Sequence, residues 1–203
     1  MSKSIFVTGI STEVGKTLVS AILVEALKAD YWKPIQAGEL ELTDGDKVKS
    51  LISNTISTFH PITYALNTPM SPHAAADIDG VTVEVEKIIK PQTDNHIIIE
   101  GAGGILVPIN HQQTILDIIP KEALVVVVSR HYLGSINHTL MTVQLLKQKG
   151  FDIALVFSGN EHKTTEDIIK KMSGVKVIGR VEEESKIDKS VVKKYADLFK
   201  ENL

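Results

Sequence analysis

A strand-forming run, Ser4–Thr8, passes directly into Gly9-Ile10-Ser11-Thr12-Glu13-Val14-Gly15-Lys16-Thr17, and a helical pattern follows over Lys16–Ala29. A glycine-bearing turn between a strand and a helix start offers a ring of unpaired backbone N–H groups, reinforced by the positive end of the helix dipole. With Gly-Lys-Thr at its close the turn reads as a phosphate loop. Lys16 is then placed to reach β- and γ-phosphates, and the Thr17 hydroxyl to ligate Mg²⁺. The alternative is an ordinary glycine-containing strand-to-helix turn, which explains neither the context nor the Gly-Lys-Thr ending. A loop of this kind needs a buried strand on one side and a helix on the other, so it commits the chain to an α/β architecture.

The rest of the chain agrees. Strands are predicted at Tyr31–Ile35, His96–Glu100, Ile105–Ile109, Leu124–Ser129, Ile153–Phe157 and Lys176–Ile178. Several are continuous apolar runs, such as Ile97-Ile98-Ile99 and Val125-Val126-Val127-Val128, which suit parallel strands covered on both faces. Helices are predicted at Asp46–Ser53, Val83–Ile89, Ile136–Lys149, Thr165–Met172 and Lys189–Glu201, with Gly150 as a stop and Thr164 or Thr165 as a cap. Such alternation predicts a doubly wound, mostly parallel sheet with helices on both faces. The 203 residues fit one such domain, 1–203. The stretch Asn54–Asp79, with Pro61, Pro69 and Pro72, is expected to be irregular and to wall or cover a site.

Composition narrows the function classes. A formal charge of −3 provides no field to gather nucleic acid or an anionic membrane, and the longest apolar run, Ala123 to Val128, is too short to span a bilayer. The absence of cysteine excludes disulfides, thiolate metal sites and a cysteine nucleophile. The opening Met1-Ser2-Lys3-Ser4 leads straight into a strand, so no targeting segment is expected. A cytoplasmic protein is the expectation.

Four further segments carry chemistry. Tyr31-Trp32-Lys33-Pro34-Ile35-Gln36-Ala37-Gly38 sets a lysine at the end of a parallel strand, where α/β sites gather, though a surface lysine is the plainer reading. His96–Glu100 ends in an acid followed by Gly101-Ala102-Gly103-Gly104; a carboxylate there can hold Mg²⁺, and the glycines let backbone approach a ligand. Asp44-Gly45-Asp46, followed by Leu51, reads by itself as a helix cap and a turn. Leu133-Gly134-Ser135-Ile136-Asn137-His138 opens a helix whose free N–H groups can bind a carboxylate, although any core helix has to start somewhere.

These motifs together resemble the dethiobiotin synthetases. Five residues lie between Gly9 and Gly15, the longer loop of that family, and Thr12 to Thr17 matches it residue for residue. Lys33-Pro34-Ile35 followed by a glycine, and Glu100-Gly101-Ala102-Gly103-Gly104, resemble its second and third signatures. Pro69-Met70-Ser71-Pro72-His73 resembles its Ser-Pro-His loop near the substrate, in which His73 is read as ordering the loop through a hydrogen bond. Clear matches run from Ser4 to about His138.

The resemblance implies a homodimer that uses Mg-ATP to close a urea ring on 7,8-diaminononanoate with CO₂. ATP contacts fall to Thr12, Glu13, Val14, Gly15, Lys16 and Thr17, joined by Asp46 and Glu100. Thr17, Asp46 and Glu100 complete the Mg²⁺ shell, with Asp44 as the alternative to Asp46. Lys33 and Lys16 are the catalytic cations, Lys33 holding the carbamate formed on a substrate amine. Thr12, Ala37, Ser71 and Gly103 face the substrate, Ala37 standing where the family carries a small hydroxyl residue. Gly134, Ser135, Ile136 and Asn137 take the substrate tail from the other subunit.

Toward the C-terminus the match thins. The family reads adenine with an asparagine after the sixth strand; here either Asn160 or Ser158, in Val156-Phe157-Ser158-Gly159-Asn160-Glu161, takes that part. The family's later proline-bearing loop is here Gly179-Arg180-Val181-Glu182-Glu183-Glu184, without its proline, and the charged Glu182–Glu184 run otherwise reads as solvated surface. The rival from another class is an ATP-dependent switch of the partitioning type. It requires a signature lysine early in the loop, where Ile10 and Ser11 stand. A cobyrinate-type amidase requires a cysteine nucleophile that the chain lacks.

Overall fold

The computed structural model describes residues 2–203, so Met1, the first residue of the expected leaderless start, lies outside them. The strands are β1 (Ser4–Gly9), β2 (Asp30–Trp32), β3 (Ile35–Ala37), β4 (Tyr64–Leu66), β5 (Ile97–Gly104), β6 (Leu124–Arg130), β7 (Asp152–Ser158) and β8 (Lys176–Val181). Six of them form one sheet in the order β2-β5-β1-β6-β7-β8, every neighbouring pair parallel. The continuous apolar runs explain why this sheet must be sandwiched. Val126 and Val128 pack into one core, while Val125 and Val127 pack into another on the opposite face. Helices α1 (Lys16–Leu27), α2 (Asp44–Leu51) and α6 (Lys189–Lys200) cover the first face through Val19, Val48 and Val192. On the second lie α3 (Pro72–Asp79), α4 (Ser135–Gln148) and α5 (Lys163–Ser173), through Ala75, Val143 and Ile169. This is the expected doubly wound arrangement.

Three departures from the sequence reading matter for the site. The run Tyr31–Ile35 is not one strand: it breaks at Lys33-Pro34, and β3 leaves the main sheet to pair with β4. Pro34 has no N–H to continue a ladder, and its carbonyl instead accepts the N–H groups of Thr63 and Tyr64, each at 3.0 Å. The break releases the Lys33 side chain at the exit of β2. Secondly, Ile105–Ile109 does not form a strand. β5 itself runs on through the glycines to Gly104, and the chain then turns, with Val107 N–H donating to the Gly104 carbonyl at 3.1 Å. Thirdly, the stretch expected to be irregular contains β4 and the helix α3. Pro72 occupies the first turn of α3, where a missing N–H has no consequence.

Smaller differences have local causes. Val83–Ile89 reduces to a single 3₁₀ turn at Val85–Lys87. The cap of α5 is His162 rather than Thr164 or Thr165.

Candidate active site

The site lies where β1, β2 and β5 deliver their C-terminal ends, as expected for an open parallel sheet. The loop after β1 is held in shape by close contacts. A Cβ at Gly9 would stand 2.5 Å from Val14 Cγ2 and 2.7 Å from the Ser11 carbonyl oxygen, so only glycine fits. Gly15 has φ +94°, and a Cβ there would also lie 3.1 Å from Ser158 Oγ. Glu13 adopts φ +54°, uncommon without glycine, which keeps the loop curled. Helix α1 starts with neither a side-chain cap nor an acidic residue in its first turn. Its first N–H groups are thus left for an anion. Lys16 folds back so that Nζ donates to the Ser11 carbonyl at 3.2 Å. Burial lowers the Lys16 pKa, the nearby Lys33 charge adds to this, and Glu100 and Asp44 only partly oppose it.

Facing the loop is a buried charge cluster. Glu100 is fully buried on β5. Its Oε1 accepts from Thr17 Oγ1 at 3.0 Å and from Lys33 Nζ at 3.1 Å, while Oε2 accepts from the Tyr31 hydroxyl at 3.0 Å. Lys33 also forms an ion pair with Asp44 at the start of α2. Burial alone would depress the Lys33 ammonium, but Glu100 and then Asp44 outweigh it and raise its pKa. Asp44 responds in the opposite sense: burial pushes its carboxyl up, and Lys33 followed by Lys47 pull it below the usual value.

Between these parts runs a cleft of about 720 Å³. Of the residues expected to serve it, Thr12, Glu13, Gly15, Lys16, Thr17, Lys33, Ala37, Ser71, Glu100 and Gly103 line it. His73 orders its rim, one ring nitrogen lying 3.0 Å from Ser71 Oγ. Asp46 does not reach the cleft. Its carboxylate turns back on Thr43, accepting the backbone N–H at 2.9 Å and the hydroxyl at 2.6 Å, in a capping box at the exposed start of α2. Asp44 lines the cleft in its place. The signal was present in the sequence: Thr43 three residues before Asp46 is a capping-box pattern, which commits the second carboxylate and leaves the first one free. Val14 also differs from expectation, since its side chain is buried in the core and only its backbone belongs to the loop.

Two groups stand apart from this cleft. Ser158 lies against Gly15 on the far side of the loop, and Asn160 Oδ1 accepts the Glu183 backbone N–H at 3.3 Å. Gly134, Ser135, Ile136 and Asn137 begin α4, and none lines the cleft of its own chain. Sequence reasoning passed over Gln36, Glu39 and Lys47, which do line it. Gln36 Oε1 accepts the Asp44 N–H at 3.3 Å and its amide donates to the Gly38 carbonyl at 2.9 Å, joining the cleft wall to α2. Tyr31 was likewise given no part.

The oxygens of Thr17, Asp44 and Glu100 suit a hard dication. Two carboxylates and a hydroxyl do not complete an octahedron, so such an ion would take its remaining ligands from phosphates and water, the habit of Mg²⁺.

Sheet, loop and charge cluster define a P-loop nucleotide-binding protein. A family model described as an AAA domain matches residues 3–191. The ATP-dependent dethiobiotin synthetase BioD of Christiangramia forsetii is 59% identical over 204 residues, covering 100% of this chain and 99% of the relative. Its counterpart in Cytophaga hutchinsonii is 50% identical, covering 96% and 95%. Among solved structures, a plasmid partition protein from Borrelia burgdorferi superposes with a TM-score of 0.60 at 12% identity, covering 99% of this chain and 97% of that one. That likeness concerns the fold alone. The chain belongs to the family of ATP-dependent dethiobiotin synthetases, ligases that take ATP as a substrate.

Proposed function

We propose that this chain, as a single domain, forms dethiobiotin from 7,8-diaminononanoate, CO₂ and ATP, a step of biotin biosynthesis. The observation that carries the reading is Lys33. It is buried in the cleft wall, between Asp44 and Glu100, beside the loop that holds Lys16 and Thr17. A buried cation facing the phosphate loop is what a reaction that builds a carbamate and then a phosphorylated carbamate can use.

One substrate amine adds to CO₂ and loses a proton, giving a carbamate. A carbamate oxygen attacks the γ-phosphorus, and the bond to ADP breaks. The second amine then attacks the carbonyl carbon of the mixed anhydride, phosphate departs, and the five-membered ureido ring closes. Lys33 holds the carbamate, and Lys16 balances charge on the transferring phosphoryl group. Thr12, Ala37, Ser71 and Gly103 border the substrate. Such a site works by positioning reactants and by countering charge as it develops. Thr17, Asp44 and Glu100 would hold Mg²⁺, which would supply neutralisation of the phosphates.

The same reading includes a homodimer with shared sites. An apolar groove of about 740 Å³ runs beside the cleft, bordered by Ile10, Leu106, Val107, Met141 and Leu145. Leu106 and Met141 on this groove are exposed on the described surface, which favours a second copy as cover. The N–H groups at the start of α4 would then serve the partner's substrate carboxylate. Among the described residues no helix is long and apolar enough to cross a membrane, and we assign the reaction to the cytoplasm.

Mass spectrometry of products from ATP, bicarbonate and the diamine tests the proposal. A ureido product formed in step with ADP is expected; ATP turnover without it favours the switch.

A further inference from the structure

Tyr31 is a buried polar group at the site that the reaction leaves unused. Its ring runs from β2 beneath the first turn of α2, only 2% exposed. Phe59 packs on it with ring centres 5.5 Å apart, and a Cβ at Gly45 would rest 3.4 Å from its Cε1. Its backbone is pinned on both sides, N–H to the Thr58 carbonyl and carbonyl to the His60 N–H, each at 2.9 Å. The hydroxyl therefore has little freedom, and it ends 3.0 Å from Glu100 Oε2.

The carboxylate it meets has two oxygens with different duties. Oε1 faces Thr17 and Lys33 at the cleft. Among the described residues, Oε2 has Tyr31 as its sole hydrogen-bond partner. A carboxylate held at one oxygen alone can swing about its side-chain torsions; held at both, it presents a fixed lone pair. Ligating carboxylates depend on such outer partners for orientation. A buried hydroxyl facing a buried acid also has no better partner to turn to, because leaving either group unpaired is unfavourable.

We infer that Tyr31 is a positioning residue, whose hydroxyl anchors Oε2 of Glu100 so that Oε1 is aimed at the metal–phosphate side of the cleft. The ring also lies under Gly45, where an added Cβ would meet it, so the turn that carries Asp44 sits over the same side chain. This inference rests on the reading of Glu100 as a metal ligand.

Tyr31→Phe removes one hydroxyl and keeps the ring. Mn²⁺ binding is measured by electron paramagnetic resonance with the non-hydrolysable imido analogue of ATP, alongside steady-state kinetics. The apparent Mn²⁺ affinity should fall about tenfold, with an upward shift in the Mg²⁺ needed for activity and no comparable change in KM for ATP. In a Glu100→Gln background the same substitution should add nothing, since the oriented group is already gone. Additive losses would show a merely structural role and overturn the inference. If Tyr31→Phe lowers Tm markedly, Phe59→Leu provides the control. It loosens the same packing without touching the hydroxyl, and an equal loss of Mn²⁺ affinity there overturns the inference. Unchanged Mn²⁺ binding in Glu100→Gln defeats the metal reading itself. Binding weakened by Glu100→Gln but not by Tyr31→Phe defeats the inference alone.

Discussion

Lys33 Nζ lies 3.1 Å from Oε1 of Glu100, although 67 positions separate them in sequence. The pairing of β2 with β5 brings them together, and the proline break after Lys33 frees the side chain to turn inward. Removing the cation has two separable consequences. Lys33→Ala should reduce ring closure by about 10² to 10³, the scale for loss of one charge-stabilising group in such a site, while the ATP analogue still binds. The variant also leaves Asp44 and Glu100 close together without their shared cation. Added Mg²⁺ should then raise its Tm more than that of the wild type in a thermal-shift titration. Activity within a factor of about two of wild type, or equal Mg²⁺ responses, would remove Lys33 from the site.

The two aspartates of α2 should separate cleanly. Asp44→Asn is expected to raise the Mg²⁺ concentration needed for half-maximal rate, because a neutral amide is a poorer ligand for a hard dication. Asp46→Asn should cost only some thermal stability through loss of the capping box with Thr43, leaving the Mg²⁺ titration as it was. Reversed results would restore Asp46 to the metal shell.

Base selection is expected to be weak. Ser158 is drawn against Gly15, and the Asn160 carbonyl is already engaged by Glu183. A single hydrogen bond to the base supports about tenfold discrimination. Comparison of kcat/KM for ATP, GTP and CTP should therefore show margins of about that size. Near-absolute ATP selectivity that disappears in Asn160→Ala would identify Asn160 as the base reader.

Shared sites predict complementation. Lys33→Ala and Asn137→Glu should each be inactive alone, and mixing them with subunit exchange should restore part of the activity. In the mixed dimer one site combines an intact Lys33 with an intact α4 turn. Absence of recovery despite proven exchange, or full activity in a monomer, would defeat the shared-site arrangement.

Asp30 should govern acid sensitivity at the opposite end of the sheet. Burial pushes its carboxyl up, but the Thr58 N–H, Thr93, Asn95 and His60 together hold it below its ordinary value. A folded pKa below the unfolded one, roughly 3.9, means the contribution is complete above that pH and fades as pH falls through the folded value. Asp30→Asn should be less stable at pH 7 by about 1–3 kcal/mol, the range for disturbing a buried hydrogen-bonded group. Urea midpoints at pH 7 and pH 3 should show the gap narrowing in acid. A gap that widens in acid would contradict the assignment.

How much of this was legible in one dimension depended on how local the physics is. The phosphate loop, the parallel sheet and the burial of both its faces follow from contiguous residues: Gly9 to Thr17, Ile97 to Ile99 and Val125 to Val128 carry their own geometry. The lysine and the acid of the site were visible as strand ends, because a parallel sheet gathers such ends at one edge. Which aspartate joins them was half legible: Thr43 three residues ahead marks Asp46 for the capping box, but only the packing of α2 turns Asp44 toward Lys33. The break at Lys33-Pro34 likewise needed a second partner strand, Tyr64–Leu66, to show where β3 goes. Tyr31 is the extreme case. Two residues before Lys33 in the sequence it reads as one more core aromatic, and only the pairing of β2 with β5 carries its hydroxyl to Glu100. Contacts made between neighbours in the chain are written in the sequence; those made between strands brought side by side exist only once the sheet has formed.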